Sequence, residues 1–146
     1  MANTTLNFLC ISTYFKGEDF LKSCKKDGNK VYLLTKKSLE NENWPWESIE
    51  DVFYIDDWNL EDVIKGIAFK FREIKFNRFV GLDDFDVEKV AFLREHFRMP
   101  GMGSTTAHYF RDKLAMRMKA KDEGVNVPEF TSLFYNEDIN EYVNKR

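Results

Sequence analysis

Four short apolar runs constrain this chain more than any other feature: Leu6 to Ile11, Val31 to Leu34, Val52 to Ile55 and Phe79 to Leu82. None alternates apolar with polar residues, so each reads as a strand covered on both faces, as in a parallel sheet. Between them lie helical patterns. Glu18 to Asp27 carries Phe20, Leu21 and Cys24 on one side and meets Gly28 as a stop. Asn59 precedes Leu60, Val63, Ile64, Ile67, Ala68, Phe71 and Ile74, which follow the helical repeat closely. Val87 to Phe97 offers Val87, Val90, Ala91 and Leu93 to a core. Strand–helix–strand alternation of this kind predicts right-handed crossovers with helices on both sheet faces. The expected fold is therefore α/β, a Rossmann-like three-layer αβα unit with a mostly parallel sheet. The polar stretch Lys36 to Glu50 interrupts it as an excursion loop, whose Trp44 and Trp46 are expected to fold back onto the body.

Composition narrows the function classes. With 22 basic and 25 acidic residues interspersed, the net charge is −3, and no basic block supplies the phosphate neutralisation that nucleic-acid binding needs. Cys10 and Cys24 form no metal or redox spacing and read as buried, reduced thiols of a cytoplasmic protein. The N-terminus lacks the pattern of a signal peptide. No apolar run approaches the roughly 18–20 residues that cross a bilayer.

In open α/β sheets, ligands sit outside the carboxyl ends of the strands. Those ends are Ser12 to Gly17, the loop after Thr35, Asp56-Asp57, and Asp83 to Asp86. The first loop lacks the glycines of a dinucleotide fingerprint, which disfavours a dehydrogenase. A receiver domain would want an acidic pair where this chain has Ser12-Thr13. Asp84 or Asp86 is expected to cap the following helix. Polar contact with a substrate is the next reading of the cluster, and Mg²⁺ binding the least favoured, so no metal ligand is assigned. Ser12, Asp83 and Asp84 are the candidates for a substrate-side cleft.

After the turn-rich Arg98 to Ser104, a long helix is expected over Thr105 to Glu123, striped by Phe110, Leu114 and Met118 and stopped by Gly124. Gly101 and Gly103 read either as a flexible connector or as the floor of a cleft. Glu129 to Phe134 is expected as a strand and Asn136 to Asn144 as a helix. On periodicity alone, Lys113 is a flank residue whose stem covers apolar surface.

The run Pro100-Gly101, Arg111-Asp112-Lys113, Met116-Arg117 and Gly124-Val125-Asn126-Val127-Pro128-Glu129-Phe130 resembles the junction at which ATP-grasp enzymes begin their ATP-binding module. The preceding hundred residues look like the pre-ATP-grasp domain. The resemblance implies a domain over 1–100, then a linker and the truncated beginning of the ATP-grasp domain over 101–146, with its first helix and strand. It implies a parent ligase that uses ATP and Mg²⁺ to convert a small carboxylate into an acyl-phosphate for attack by an amine or another nucleophile. Carried over by position, Lys113 is the residue that reaches toward the nucleotide phosphates. The family's glycine-rich lid, later lysine and Mg²⁺-holding acids have no counterpart here. This stretch alone is therefore expected to be inactive, without a catalytic residue or cofactor of its own. A homo-oligomer stays open. The competing reading is a stand-alone flavodoxin-like or receiver-like binding module.

Overall fold

The structure, a computed structural model, describes residues 4–145. The apolar runs become β1 (Asn7–Ser12), β2 (Lys30–Lys36), β3 (Asp51–Ile55) and β4 (Arg78–Gly81). They form one four-stranded sheet in the order β3-β2-β1-β4, with every pairing parallel. The chain steps outward from β1 to β3 and then returns to add β4 on the other side of β1. That reversal makes the gap between β1 and β4 the topological switch point.

Each sheet face is covered by its own core. On one side, Cys10, Val31 and Leu33 meet Leu21 and Cys24 of α1 (Glu18–Lys26), together with Trp44. On the other, Leu9, Ile11, Leu34 and Phe79 meet Val63 and Ile67 of α2 (Leu60–Phe71) and Val90 and Leu93 of α3 (Val87–Phe97). The three-layer expectation is met, and the sheet is wholly rather than mostly parallel. Burial raises the thiol pKa of both Cys10 and Cys24, which keeps them protonated and unreactive near neutrality.

Several local expectations change. Asn59 caps α2 as expected, its Oδ1 accepting from the Asp62 N–H at 3.1 Å. The helix stops at Phe71, however, and Ala68 faces solvent. Ile74 reaches the core from the following loop instead. The excursion loop holds short 3-10 turns at Lys37–Leu39 and Trp46–Ser48. Only one tryptophan of the pair folds back: Trp44 is buried, donating Nε1–H to the Leu39 carbonyl at 3.0 Å, whereas Trp46 is exposed. Phe20, expected inside, lies edge-on against Phe8 near the surface.

The chain divides into two compact units, the first ending at Ser104 and the second starting at Thr105. The end of the first unit is clasped rather than loose. Arg98 closes α3 in the left-handed conformation, and the Met99 N–H reaches back to the Arg94 carbonyl. The Arg94 guanidinium donates to the Phe79 carbonyl on β4 and the Met102 carbonyl in the connector. Gly101, at φ 128°, packs so closely that a Cβ there would meet the Arg94 Cδ at 2.9 Å.

In the second unit, the long helix expected over Thr105 to Glu123 is two helices, α4 (Ser104–Arg111) and α5 (Lys113–Asp122), broken at Asp112. Phe110 and Met118, expected in an apolar stripe, are exposed. Gly124 ends α5 in the left-handed region at φ 77°, as its position suggested. Glu129 to Phe134 forms no strand. A strand needs a ladder partner, and no described segment pairs with it. The Tyr142 hydroxyl of α6 (Asn136–Asn144) instead donates to the Glu129 carbonyl at 3.0 Å.

Gly17 holds the loop after β1 against β4. Its φ is 88°, and an added Cβ would lie 2.7 Å from the Leu82 Cβ. Gly28 has the same φ with nothing within 4 Å. Gly17→Ala should therefore destabilise the first unit by about 1–3 kcal/mol. Gly28→Ala, which meets only the left-handed backbone penalty, should cost about 1–2 kcal/mol. Urea unfolding followed by tryptophan fluorescence checks the ordering, since Trp44, Trp46 and Trp58 all lie in that unit.

Candidate functional site at the switch point

The carboxyl ends of β1 and β4 are neighbours because Ile11 pairs with Gly81. This register brings Ser12 to Gly17 beside Leu82 to Asp86, segments some 70 residues apart in sequence, as the Thr13–Asp86 separation of 73 shows. Gly81 lets α3 approach: a Cβ there would press on Val90 Cγ2 at 3.2 Å and the Asp86 carbonyl at 3.3 Å.

Ser12 is fully buried. Its hydroxyl donates to the Tyr14 carbonyl, and its own carbonyl accepts from Thr35 Oγ1 at 2.8 Å. It shapes the turn from within. Asp83 is buried as well; its Oδ1 accepts the Phe85 N–H at 2.9 Å, and Oδ2 lies 3.2 Å from the Lys16 ammonium. Asp84 is exposed and begins the 3-10 turn Asp84–Asp86. Of the three cleft candidates, Ser12 and Asp83 therefore sit on the two strand ends that flank the switch point, and Asp84 follows on the turn.

The helix-cap expectation for this cluster is redistributed. Asp83 supplies the side-chain cap, to the 3-10 turn. Asp86 occupies the N-cap position of α3 but makes no side-chain cap hydrogen bond. Its carboxylate turns across the switch point, where Oδ2 accepts the Thr13 N–H at 2.8 Å and Oδ1 accepts the Thr13 Oγ1–H at 2.6 Å. Lys89 stands 3.6 Å from the same Oδ1. Thr13, Lys16 and Lys89 carried no sequence signal for this role; only strand order brings them together. Above the turn, the rings of Tyr14 and Phe85 approach to 5.2 Å between centroids and are both about half exposed.

Metal binding does not fit this cluster. Two of its carboxylates are already held by donors and lysines, and no group of three or more candidate ligands occurs among the described residues. A groove of about 630 Å³ lies elsewhere, beside edge strand β3 and α2, lined by Phe53, Ile55, Val63 and Phe69.

In the second unit, the Arg111-Asp112-Lys113 motif forms a helix–helix corner. The Asp112 N–H closes α4 on the His108 carbonyl, and the Asp112 carbonyl opens α5 by accepting from Met116. Its Oδ1 accepts the N–H groups of Leu114 and Ala115 at 2.9 and 3.0 Å. His108 Nε2 lies 3.5 Å from Oδ2. These backbone donors, with His108, hold the Asp112 carboxyl below the usual carboxylate range. Lys113 is thereby the first residue of α5, with an exposed side chain. A cation at this end works against the helix dipole, which the capping Asp112 carboxylate offsets.

The chain is 32% identical over 91 residues to an L-arginine-specific L-amino acid ligase of Bacillus subtilis; the match takes in 62% of this chain and 22% of that protein. An L-amino acid ligase from Bacillus licheniformis superposes on 99% of the chain with a TM-score of 0.75, at 18% identity. The chain is thus similar in sequence to part of one L-amino acid ligase and shares the fold of the first part of another. Phosphoribosylglycinamide synthetase from Anaerococcus prevotii matches 97% of it with a TM-score of 0.69 at 14% identity. N5-carboxyaminoimidazole synthetase from Staphylococcus aureus, complexed with ADP, also matches 97%, with a TM-score of 0.64 at 17% identity. No family model matches. The chain spans about a fifth of the curated relative and 35% to 43% of the three solved chains.

Asp112 gives the corner a pH dependence. Its carboxyl pKa is lower folded than unfolded, so its stabilisation is fully present above the ordinary aspartate value of about 3.9. That contribution is lost as pH falls through the lower, folded value. Asp112→Ala should fray the first turn of α5 at neutral pH, and Asp112→Asn should fray it less. Backbone chemical shifts of residues 113–116 report both effects; unchanged shifts in Asp112→Ala would contradict the cap.

Proposed function

We propose that this chain is the substrate-side domain of an ATP-dependent carboxylate–amine ligase, joined to the opening helices of its ATP-binding module. Its parent would activate a small carboxylate as an acyl-phosphate, which an amine or another nucleophile then attacks. The observation that carries the reading is Lys113. It stands exposed at the start of α5 on a corner fixed by Asp112, at the position that the resemblance gives to the lysine reaching toward the nucleotide phosphates. The lysine would neutralise charge that builds during phosphoryl transfer, while Asp112 fixes its backbone.

The switch-point crevice would hold the carboxylate substrate, with Asp83 and Asp84 on its wall and Ser12 beneath it. ATP supplies the phosphoryl group when bound. The Mg²⁺ that accompanies it has no fitting ligand set among the described residues, so no step is assigned to it. The reading places the parent in the cytoplasm, in keeping with two buried, unpaired thiols.

Because one lysine is a small part of a nucleotide clamp, the isolated chain should bind Mg-ATP no tighter than millimolar. Calorimetric titration checks this, and a micromolar affinity would contradict it. In a ligase-active protein containing this sequence, Lys113→Ala should lower kcat/KM for ATP by about 10- to 100-fold, with Lys113→Arg intermediate. An unchanged kcat/KM in Lys113→Ala would remove the lysine from the site. The stand-alone binding-module reading predicts no ATP dependence in either protein.

A further inference from the structure

The first βα turn of a Rossmann-like sheet is where a phosphate usually finds its donors. Here the donors exist but are already taken. The Thr13 N–H and Oγ1–H both end on the carboxylate of Asp86, which is fully buried, at 2.8 and 2.6 Å. An aspartate at the start of an α-helix ordinarily caps that helix. Asp86 leaves α3 without a side-chain cap and turns toward Thr13 instead. The nearby Ser12 hydroxyl is likewise committed, to the Tyr14 carbonyl. The Lys16 ammonium is paired with Asp83, and Lys89 lies beside Asp86.

From this geometry we infer that Asp86 is an internal anion that makes the crevice select unphosphorylated substrates. The carboxylate group fills the seat that a phosphate would otherwise take and adds negative charge beside it. A phosphomonoester would have to displace a buried, doubly hydrogen-bonded carboxylate, and Thr13 would have no donor left to offer while that carboxylate stays in place. A substrate that brings a neutral or amine-bearing end to the turn meets no such conflict. The inference rests on reading the crevice as the substrate side.

The experiment is a titration of the isotope-labelled chain with inorganic phosphate, and separately with phosphoserine and serine, read at the Thr13 amide. In the wild-type chain, that amide should neither shift with either phosphate compound at millimolar concentration nor exchange rapidly with solvent. Asp86→Ser removes the carboxylate and keeps a small polar side chain. It should raise Thr13 amide exchange by about tenfold or more, the loss of roughly one hydrogen bond, and make the amide respond to phosphate. If Asp86→Ser does not fold, Asp86→Asn serves, since it keeps one acceptor oxygen and should give the same changes more weakly.

A saturable wild-type shift at Thr13 with phosphate or phosphoserine would overturn the inference. So would a folded variant whose Thr13 amide neither exchanges faster nor responds to phosphate. These readouts need no ATP and no turnover, so they stand apart from the ligase reading. If the parent lacks ATP-dependent activity while Thr13 behaves as stated, the ligase assignment fails and the anion seat stands.

Discussion

The buried contact between Asp86 and Thr13 ties together the two strand ends that flank the switch point. A carboxylate taken wholly out of water is tolerated only when donors replace its hydration. Thr13 provides two of them, and Lys89 stands close by. The contact fixes the turn after β1 to the turn that opens α3. Gly17 against Leu82, and Gly81 beneath Val90, bring the backbones close enough for it to form. The two turns are thus fixed to each other, with their buried polar groups satisfied internally.

That arrangement separates two tasks. Asp83 and Asp86 are structural to their cores, one bonding the Phe85 N–H and the other Thr13. Asp84, Tyr14 and Phe85 present themselves at the surface. The surface at the switch point presents the half-exposed rings of Tyr14 and Phe85, while the Thr13 N–H is held by Asp86. This is unlike a glycine-rich loop, which opens its N–H groups to an anion. In the second unit the logic inverts. Asp112 absorbs the N–H groups at the start of α5 and leaves Lys113 as the exposed charge.

Sequence similarity and fold point the same way, on different observations. The ligase of Bacillus subtilis gives the sequence link, over 91 residues. The solved structures, all at 18% identity or below in the cases described, speak for architecture. A common layered sheet serves enzymes with different names, so chemistry must be argued from side chains at the strand ends rather than from the fold.

The sequence by itself determined the layered parallel sheet, the cap at Asn59, the stops at Gly28 and Gly124, and the span of α3, because periodicity and capping are local properties of consecutive residues. It also carried the junction motif that resembles the start of an ATP-grasp module. What tertiary structure alone decided is where the side chains of the motifs point. Asp86 bonds a residue 73 positions away, Ile74 reaches the core from a loop, and Trp44 is buried while Trp46 is not. The break at Asp112 falls between these: an aspartate is a good cap anywhere, but the helical repeat ran through it and hid the corner. The segment from Glu129 to Phe134 failed as a strand for the reverse reason, since β structure requires a partner that no local pattern can supply.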